Sequence, residues 1–144
     1  MNQIDPRGPR FGAWITSAVL VVILLLSGSP TVAAVLLSAQ AVVFALGSRG
    51  RSPYGVVFKR YVRPRLAPPT ELEDEAPPRF AQVVGLGFAV GGAVSFFAGA
   101  SVAGLVFTGF ALVAALLNAS IGLCLGCEVY LFYKRLTNPK GATV

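Results

Sequence analysis

From Phe11 to Ser48 the chain reads FGAWITSAVLVVILLLSGSPTVAAVLLSAQAVVFALGS, without one charged residue. A crossing of a bilayer takes about 20 apolar residues, so this stretch is too long for a single span. It is also interrupted near its middle by Ser27-Gly28-Ser29-Pro30, a cluster that favours a turn. The reading is therefore a hairpin of two helices, about Phe11–Leu26 and Thr31–Leu46. A second uncharged run, Phe80 to Cys127, is interrupted by Gly99-Ala100-Ser101 and gives a second hairpin, about Phe80–Ala98 and Val102–Phe132. The first two helices are short for full spans, which leaves a shallow re-entrant hairpin as the alternative there. A signal peptide competes for the first helix, with Arg7 and Arg10 as its basic region and Thr31-Val32-Ala33 resembling a cleavage site.

Composition supports the same class. Only 12% of the 144 residues are charged, about half of what a soluble domain uses to coat itself. That excludes an ordinary cytosolic enzyme, a disordered tail and a nucleic-acid-binding module. The net charge of +6 comes from twelve Lys and Arg that sit in three places: Arg7 and Arg10, the segment from Arg49 to Arg79, and Lys134, Arg135 and Lys140. Neither short turn carries a charge. Because Lys and Arg in short loops stay on the cytoplasmic side, both termini and the central loop are expected in the cytoplasm, with the protein in the cell's inner membrane.

The two hairpins open alike, on Gly8-Pro9-Arg10-Phe11-Gly12-Ala13 and on Pro77-Pro78-Arg79-Phe80-Ala81-Gln82. Both enter the membrane from one side, which predicts two tandem parallel repeats. Each Arg-Phe pair would place a cation among headgroups and an aromatic ring at the interface. Small residues recur at Gly87, Gly91, Ser95 and Gly99, and again at Ala111, Ala115, Ala119, Gly122 and Gly126. Such ladders let helices approach closely, within one chain or between two copies of it.

Within the central loop, Tyr54, Val57, Phe58 and Tyr61 share one helical face and Lys59, Arg60 and Arg63 the other. That pattern predicts a short helix lying in the membrane interface, against the plainer reading of an irregular basic loop. Beyond it, Pro68-Pro69 and Pro77-Pro78 bracket Glu71, Glu73, Asp74 and Glu75, an acidic patch suited to pairing with nearby arginines or docking a basic partner. No His or further Cys accompanies these acids, so no metal site is expected from the loop.

Chemistry is concentrated in Cys124-Leu125-Gly126-Cys127-Glu128. The chain has no His, so imidazole catalysis and His ligation are excluded. Cys at i and i+3 of a helix share a face at a separation a disulfide tolerates. On one continuous helix running to Phe132, the pair lies toward the C-terminal end, where the dipole disfavours a thiolate and Glu128 adds a negative neighbour. Ser120 would stand one turn before Cys124 on the same side. Cytoplasmic thiols are normally kept reduced. Three readings stay open: small apolar residues at a packing seam, thiol or sulfur redox chemistry, and metal or metalloid binding. Tyr130 and Tyr133 read as an interfacial aromatic belt, and Asn118 as a mid-helix polar residue that joins helices. Few other polar residues (Thr16, Ser38, Gln40, Ser95, Thr108) lie at mid-depth, and no intramembrane charge marks an ion path.

Several of these segments together resemble one family. They are Ile4-Asp5-Pro6-Arg7 with Pro9-Arg10-Phe11, Ser52-Pro53-Tyr54-Gly55, Arg63-Pro64-Arg65-Leu66, Pro78-Arg79-Phe80-Ala81-Gln82, and Leu117-Asn118-Ala119 through Cys124-Leu125-Gly126-Cys127-Glu128-Val129-Tyr130. The chain is similar over nearly its whole length to the DUF4395 family, small multi-pass membrane proteins of bacteria, notably actinobacteria, with no assigned activity. The resemblance implies the company of thioredoxin-like or sulfurtransferase proteins. It supplies no catalytic residues.

The expectation is thus an all-α integral membrane protein of one domain: hairpin one about 11–47, a cytoplasmic loop about 48–79, hairpin two about 80–135. Cys124 and Cys127 would exchange electrons or sulfur with a cytoplasmic thiol partner, with Glu128 as proton acceptor and no cofactor. The alternative is a non-catalytic scaffold docking a soluble partner through the acidic loop; a transporter comes third. The lipid bilayer is the one partner the composition requires, and nucleic acid is not expected.

Overall fold

A computed structural model describes residues 3–5, 7–68, 72–74, 76–121 and 124–137. Four of its helices are long and apolar enough to cross a membrane: α1 (Arg7–Leu25), α2 (Pro30–Ser48), α4 (Ala76–Phe97) and α5 (Ser101–Ile121). Between the hairpins lies α3 (Pro53–Val57), which continues as a π-helical turn (Phe58–Val62) and a 3-10 turn (Arg63–Arg65). A sixth helix, α6 (Leu125–Thr137), follows α5. The only strands among the described residues are β1 (Gln3–Ile4) and β2 (Glu73–Asp74), paired antiparallel with Gln3 opposite Asp74. That pairing ties the N-terminal arm to the acidic segment.

Both α1 and α2 have 19 residues. At about 1.5 Å per residue each is about 28 Å long, close to the thickness of a hydrocarbon core. Pro30 stands at the start of α2, where a missing N–H costs nothing. Gly99 ends α4 at φ +81° and lets the Ala100 N–H reach the Ser95 carbonyl at 2.8 Å. Gly50 at φ +75° does the same for α2, where Arg51 N–H meets Leu46 O at 2.9 Å. A side-chain-bearing residue would be strained at either place.

The four long helices form an antiparallel bundle in which α1 lies on α2, α2 on α4, α4 on α5 and α5 on α1. Leu20, Ile23, Ala33, Ala34, Leu37, Ala93 and Phe96 make the main core near the hairpin tips. A smaller cluster of Ala41, Phe44 and Ala89 lies nearer the other end. Outside the bundle, Trp14, Val94, Phe97, Val102 and Phe110 are all more than half exposed. Apolar exposure of that extent on bonded helices suits a lipid solvent rather than water.

Two expectations change here. The last helix is not continuous to Phe132: α5 stops at Ile121 and α6 starts at Leu125. The Gly87–Gly99 ladder is a close-packing seam only in part: a Cβ at Gly91 would lie 3.1 Å from the Phe107 ring. An added Cβ at Gly87 or Gly99 would meet nothing within 4 Å, whereas one at Gly85 would strike the Phe44 ring and one at Gly104 the Phe96 ring. Several of the tight approaches set a Gly against a Phe ring, but Gly47 meets the Gln82 side chain and Gly126 the Ala81 backbone, so close contact does not follow one four-residue repeat. Glu71, Glu75, Gly122 and Lys140 lie outside the described residues.

Candidate functional site

Cys124 occupies the position just before α6, and its carbonyl accepts the Glu128 N–H at 3.0 Å, the first bond of the helix. Its Sγ accepts the backbone N–H of Cys127 at 3.2 Å. A side-chain acceptor there satisfies one of the N–H groups that every helix start leaves unpaired. Cys124 and Cys127 are joined as a disulfide, with Cα atoms 5.1 Å apart, and both are partly exposed. The pair therefore sits at the N-terminus of one helix instead of the C-terminal part of another. This reverses the electrostatic expectation, because the partial positive charge of a helix start favours a thiolate.

The Gly between the cysteines has a definite job. A Cβ on Gly126 would lie 2.6 Å from both Cα and Cβ of Ala81 in α4. Only Gly lets the first turn of α6 press against the α4 backbone. One turn later Tyr130 packs against Phe80, ring centroids 5.5 Å apart, and Lys134 Nζ stands 6.0 Å over the Tyr130 ring. Glu128 is exposed in the first turn of α6. Ser120 is the last but one residue of α5 and bonds the Leu116 carbonyl, so it shares no helix with Cys124, contrary to the expected common face.

A second polar feature escaped sequence reasoning. Tyr54 donates to Gln40 Oε1 at 2.8 Å, and Gln40, 2% exposed, is left with an Nε2 that has no partner among the described residues. Burial pushes the Tyr54 phenol above its ordinary value of 10.0, and the hydrogen bond to Gln40 pulls it the other way. The sequence pattern puts Tyr54 on a membrane-facing stripe. It packs instead beside Gly12 of α1, while Phe58 is buried against Phe11 at 5.7 Å; Val57 and Tyr61 stay exposed. No spacing rule links a mid-helix Gln to a Tyr beyond the next turn, so the sequence held no signal for it.

Four other hydroxyls in the spans are occupied locally. Ser17, Ser38, Ser95 and Thr108 each bond the carbonyl four residues back, at 2.7–2.8 Å. Asn118 falls in the last turn of α5 and is not mid-helix. Among the described residues no three His, Cys, Asp or Glu side chains gather as a metal site.

The arginines that open the hairpins reach across the bundle. Arg10 Nη2 donates to Ala119 O and Ser120 O, at 3.2 and 3.4 Å, at the end of α5. Arg79 Nε donates to Ser48 O, at 2.8 Å, at the end of α2. Each hairpin thus supplies a cation to the C-terminal carbonyls of the other, where the helix dipole favours it. Nearby, Arg7 pairs with Asp5 at 2.8 Å and also donates to Ala67 O. The Arg7 guanidinium holds the Asp5 carboxyl below its ordinary 3.8 despite burial.

A family model described as a domain of unknown function, DUF4395, matches residues 4–135. No curated protein and no solved structure matches the chain.

Proposed function

The chain belongs to the DUF4395 family, and on that footing we propose that it is a multi-pass protein of the cytoplasmic membrane whose Cys124–Cys127 pair exchanges electrons with a cytoplasmic dithiol protein of thioredoxin-like chemistry. The observation that carries this reading is the N–H of Cys127 donating to Cys124 Sγ at the start of α6. A helix start of this kind favours an anion by about 0.3–1 kcal/mol, which makes Cys124 the better thiolate of the two.

The steps balance as thiol–disulfide exchange. A partner thiolate attacks Cys124 Sγ, the Cys124–Cys127 bond breaks, and Cys127 leaves as a thiolate that takes a proton. The partner's second thiolate then attacks its own sulfur in the mixed disulfide and releases Cys124. Two electrons pass to the pair and the partner becomes a disulfide; the reverse steps return them. In the reverse direction Cys124 attacks, Cys127 resolves, and Glu128, the one carboxylate in α6, takes up the proton shed.

Orientation follows from charge. Every described Lys and Arg lies at the end of the bundle that holds the start of α1, the end of α2, α3, the start of α4 and α6, while the tips at 26–29 and 98–100 carry none. By the positive-inside rule that end is cytoplasmic. The reciprocal Arg10 and Arg79 contacts and the matched Phe11–Phe58 and Phe80–Tyr130 pairs support a tandem repeat of the units α1–α3 and α4–α6. In that repeat α3 with its following turns is the interfacial helix of the first unit, its Val56, Val57 and Tyr61 exposed toward lipid beside Lys59 and Arg60.

The test is the thiol state in native membranes, trapped by acid and read with a mass-tagged maleimide before and after reduction. Wild type should show reversible oxidation that responds to thiol stress. Cys127→Ser should accumulate a mixed disulfide through Cys124, and Cys124→Ser should not. Thiols that stay reduced and unreactive under every condition would refute the redox reading and leave the scaffold role of the loop around Glu73 and Asp74.

A further inference from the structure

The side of α6 turned away from the bundle is a continuous apolar stripe. Leu125, Val129, Phe132 and Leu136 follow one another at intervals of four, three and four, the spacing of one helical face, and they are 39%, 55%, 63% and 67% exposed. Another side is already used: Gly126 abuts Ala81 and Tyr130 meets Phe80. With 13 residues, α6 is about 20 Å long and too short to cross a hydrocarbon core. The stripe begins four residues after Ile121, which like Leu116 is exposed at the end of α5. The last turn of α6 carries Lys134 and Arg135, and Arg10, Arg79 and the α3 cations stand at the same end.

We infer that α6 lies in the headgroup layer of an anionic membrane surface, its stripe among the upper acyl chains and its cations among lipid phosphates. This inference rests on the membrane reading above. The cationic last turn, beside the other cations at this end of the bundle, is complementary to anionic headgroups and selects phospholipid over a second protein as the occupant. The consequence for chemistry is one of place: the Cys pair begins this helix, so a dithiol partner must come to the headgroup layer to reach it.

Depth-resolved quenching tests this in the full chain. Trp14, the one tryptophan, is changed to Phe, and Phe132→Trp is compared with Phe110→Trp, which reports the exposed middle of α5. Both are placed in vesicles of mixed zwitterionic and anionic phospholipid brominated at shallow or deep chain positions. Phe132→Trp should emit in the blue and be quenched more by shallow bromines, and Phe110→Trp more by deep ones. Adding Lys134→Gln and Arg135→Gln should reduce the shallow quenching in anionic vesicles and leave purely zwitterionic vesicles unaffected. Red emission and quenching by aqueous acrylamide at position 132, with position 110 still quenched by lipid, would overturn this inference alone. Blue emission at position 132 without lipid quenching would do the same, since a protein would then cover the stripe. Loss of lipid quenching at both positions would overturn the membrane reading and this inference with it. If Phe132→Trp does not fold, Leu136→Trp carries the same comparison.

Discussion

Where the first hairpin opens, Gly12 of α1 receives Tyr54 of α3; where the second opens, Ala81 of α4 receives Gly126 of α6. The contacts occupy matching places but distribute bulk oppositely. In the first the span is the small partner, and the short helix sends a large side chain inward to hydrogen-bond Gln40. In the second the short helix is itself the small partner, so its backbone comes in close and its flanking cysteines stay partly exposed. One architecture thus makes a buried polar lock at one place and an accessible pair of sulfurs at the other. Which it makes depends on where the glycine lies.

The largest effect expected from that difference is at the glycines. Gly126→Ala would drive a Cβ into the Ala81 backbone and should cost about 3 kcal/mol, the upper range for overpacking, read as a lowered melting temperature in detergent with faster alkylation of the reduced cysteines. Gly12→Ala meets the Tyr54 Cβ at an ordinary 3.6 Å and should be neutral or stabilising by up to about 1 kcal/mol, the helix-propensity gain. Equal effects of the two changes would remove the comparison.

Next come the crossed arginines. Arg79→Ala should cost about 2 kcal/mol, as loss of a charged hydrogen bond to helix-end carbonyls does. Arg10→Ala should cost less, because its contacts at 3.2 and 3.4 Å are longer than the 2.8 Å of Arg79. The same thermal unfolding series ranks them.

Tyr54→Phe should cost about 1 kcal/mol, since it leaves the buried Gln40 amide with no partner for Oε1 either. Adding Gln40→Leu should recover most of that loss, and the non-additivity of the double-mutant cycle is the measurement. A fully additive pair would mean that the hydrogen bond does not lock α3 to α2.

The smallest effect is one of pH. Burial raises the Tyr54 phenol in the folded protein above 10.0, so the unfolded chain gives up this proton first. The stability from the neutral phenol is fully present below pH 10 and is lost as pH rises through the folded value. Wild type should therefore lose stability above pH 10 more steeply than Tyr54→Phe, in denaturation curves taken across that range.

Much of the architecture was legible from Phe11 onward. Two uncharged runs, each broken once by small residues, gave four spans whose ends lie within a few residues of α1, α2, α4 and the start of α5. The cysteine pair was equally visible, but its setting was not. Cys124 lies outside both α5 and α6 in an uncharged, mostly apolar stretch of sequence, so hydropathy cannot register that a new helix begins at Leu125. The Tyr54–Gln40 bond is hidden for a related reason: local pattern puts Gln40 at mid-depth and Tyr54 on a lipid-facing stripe, and only packing brings them together.

Span number, the gathering of cations at one end and the presence of two thiols belong to the sequence itself. They follow from the energy of placing charge and apolar surface in lipid, which each residue meets locally. The crossed arginine contacts, the tyrosine lock and the place of Cys124 at a helix start were decided by tertiary structure. Each depends on the approach of helices distant in the chain, above all the contact of Gly126 with Ala81, and that approach is set by packing, which no local pattern encodes.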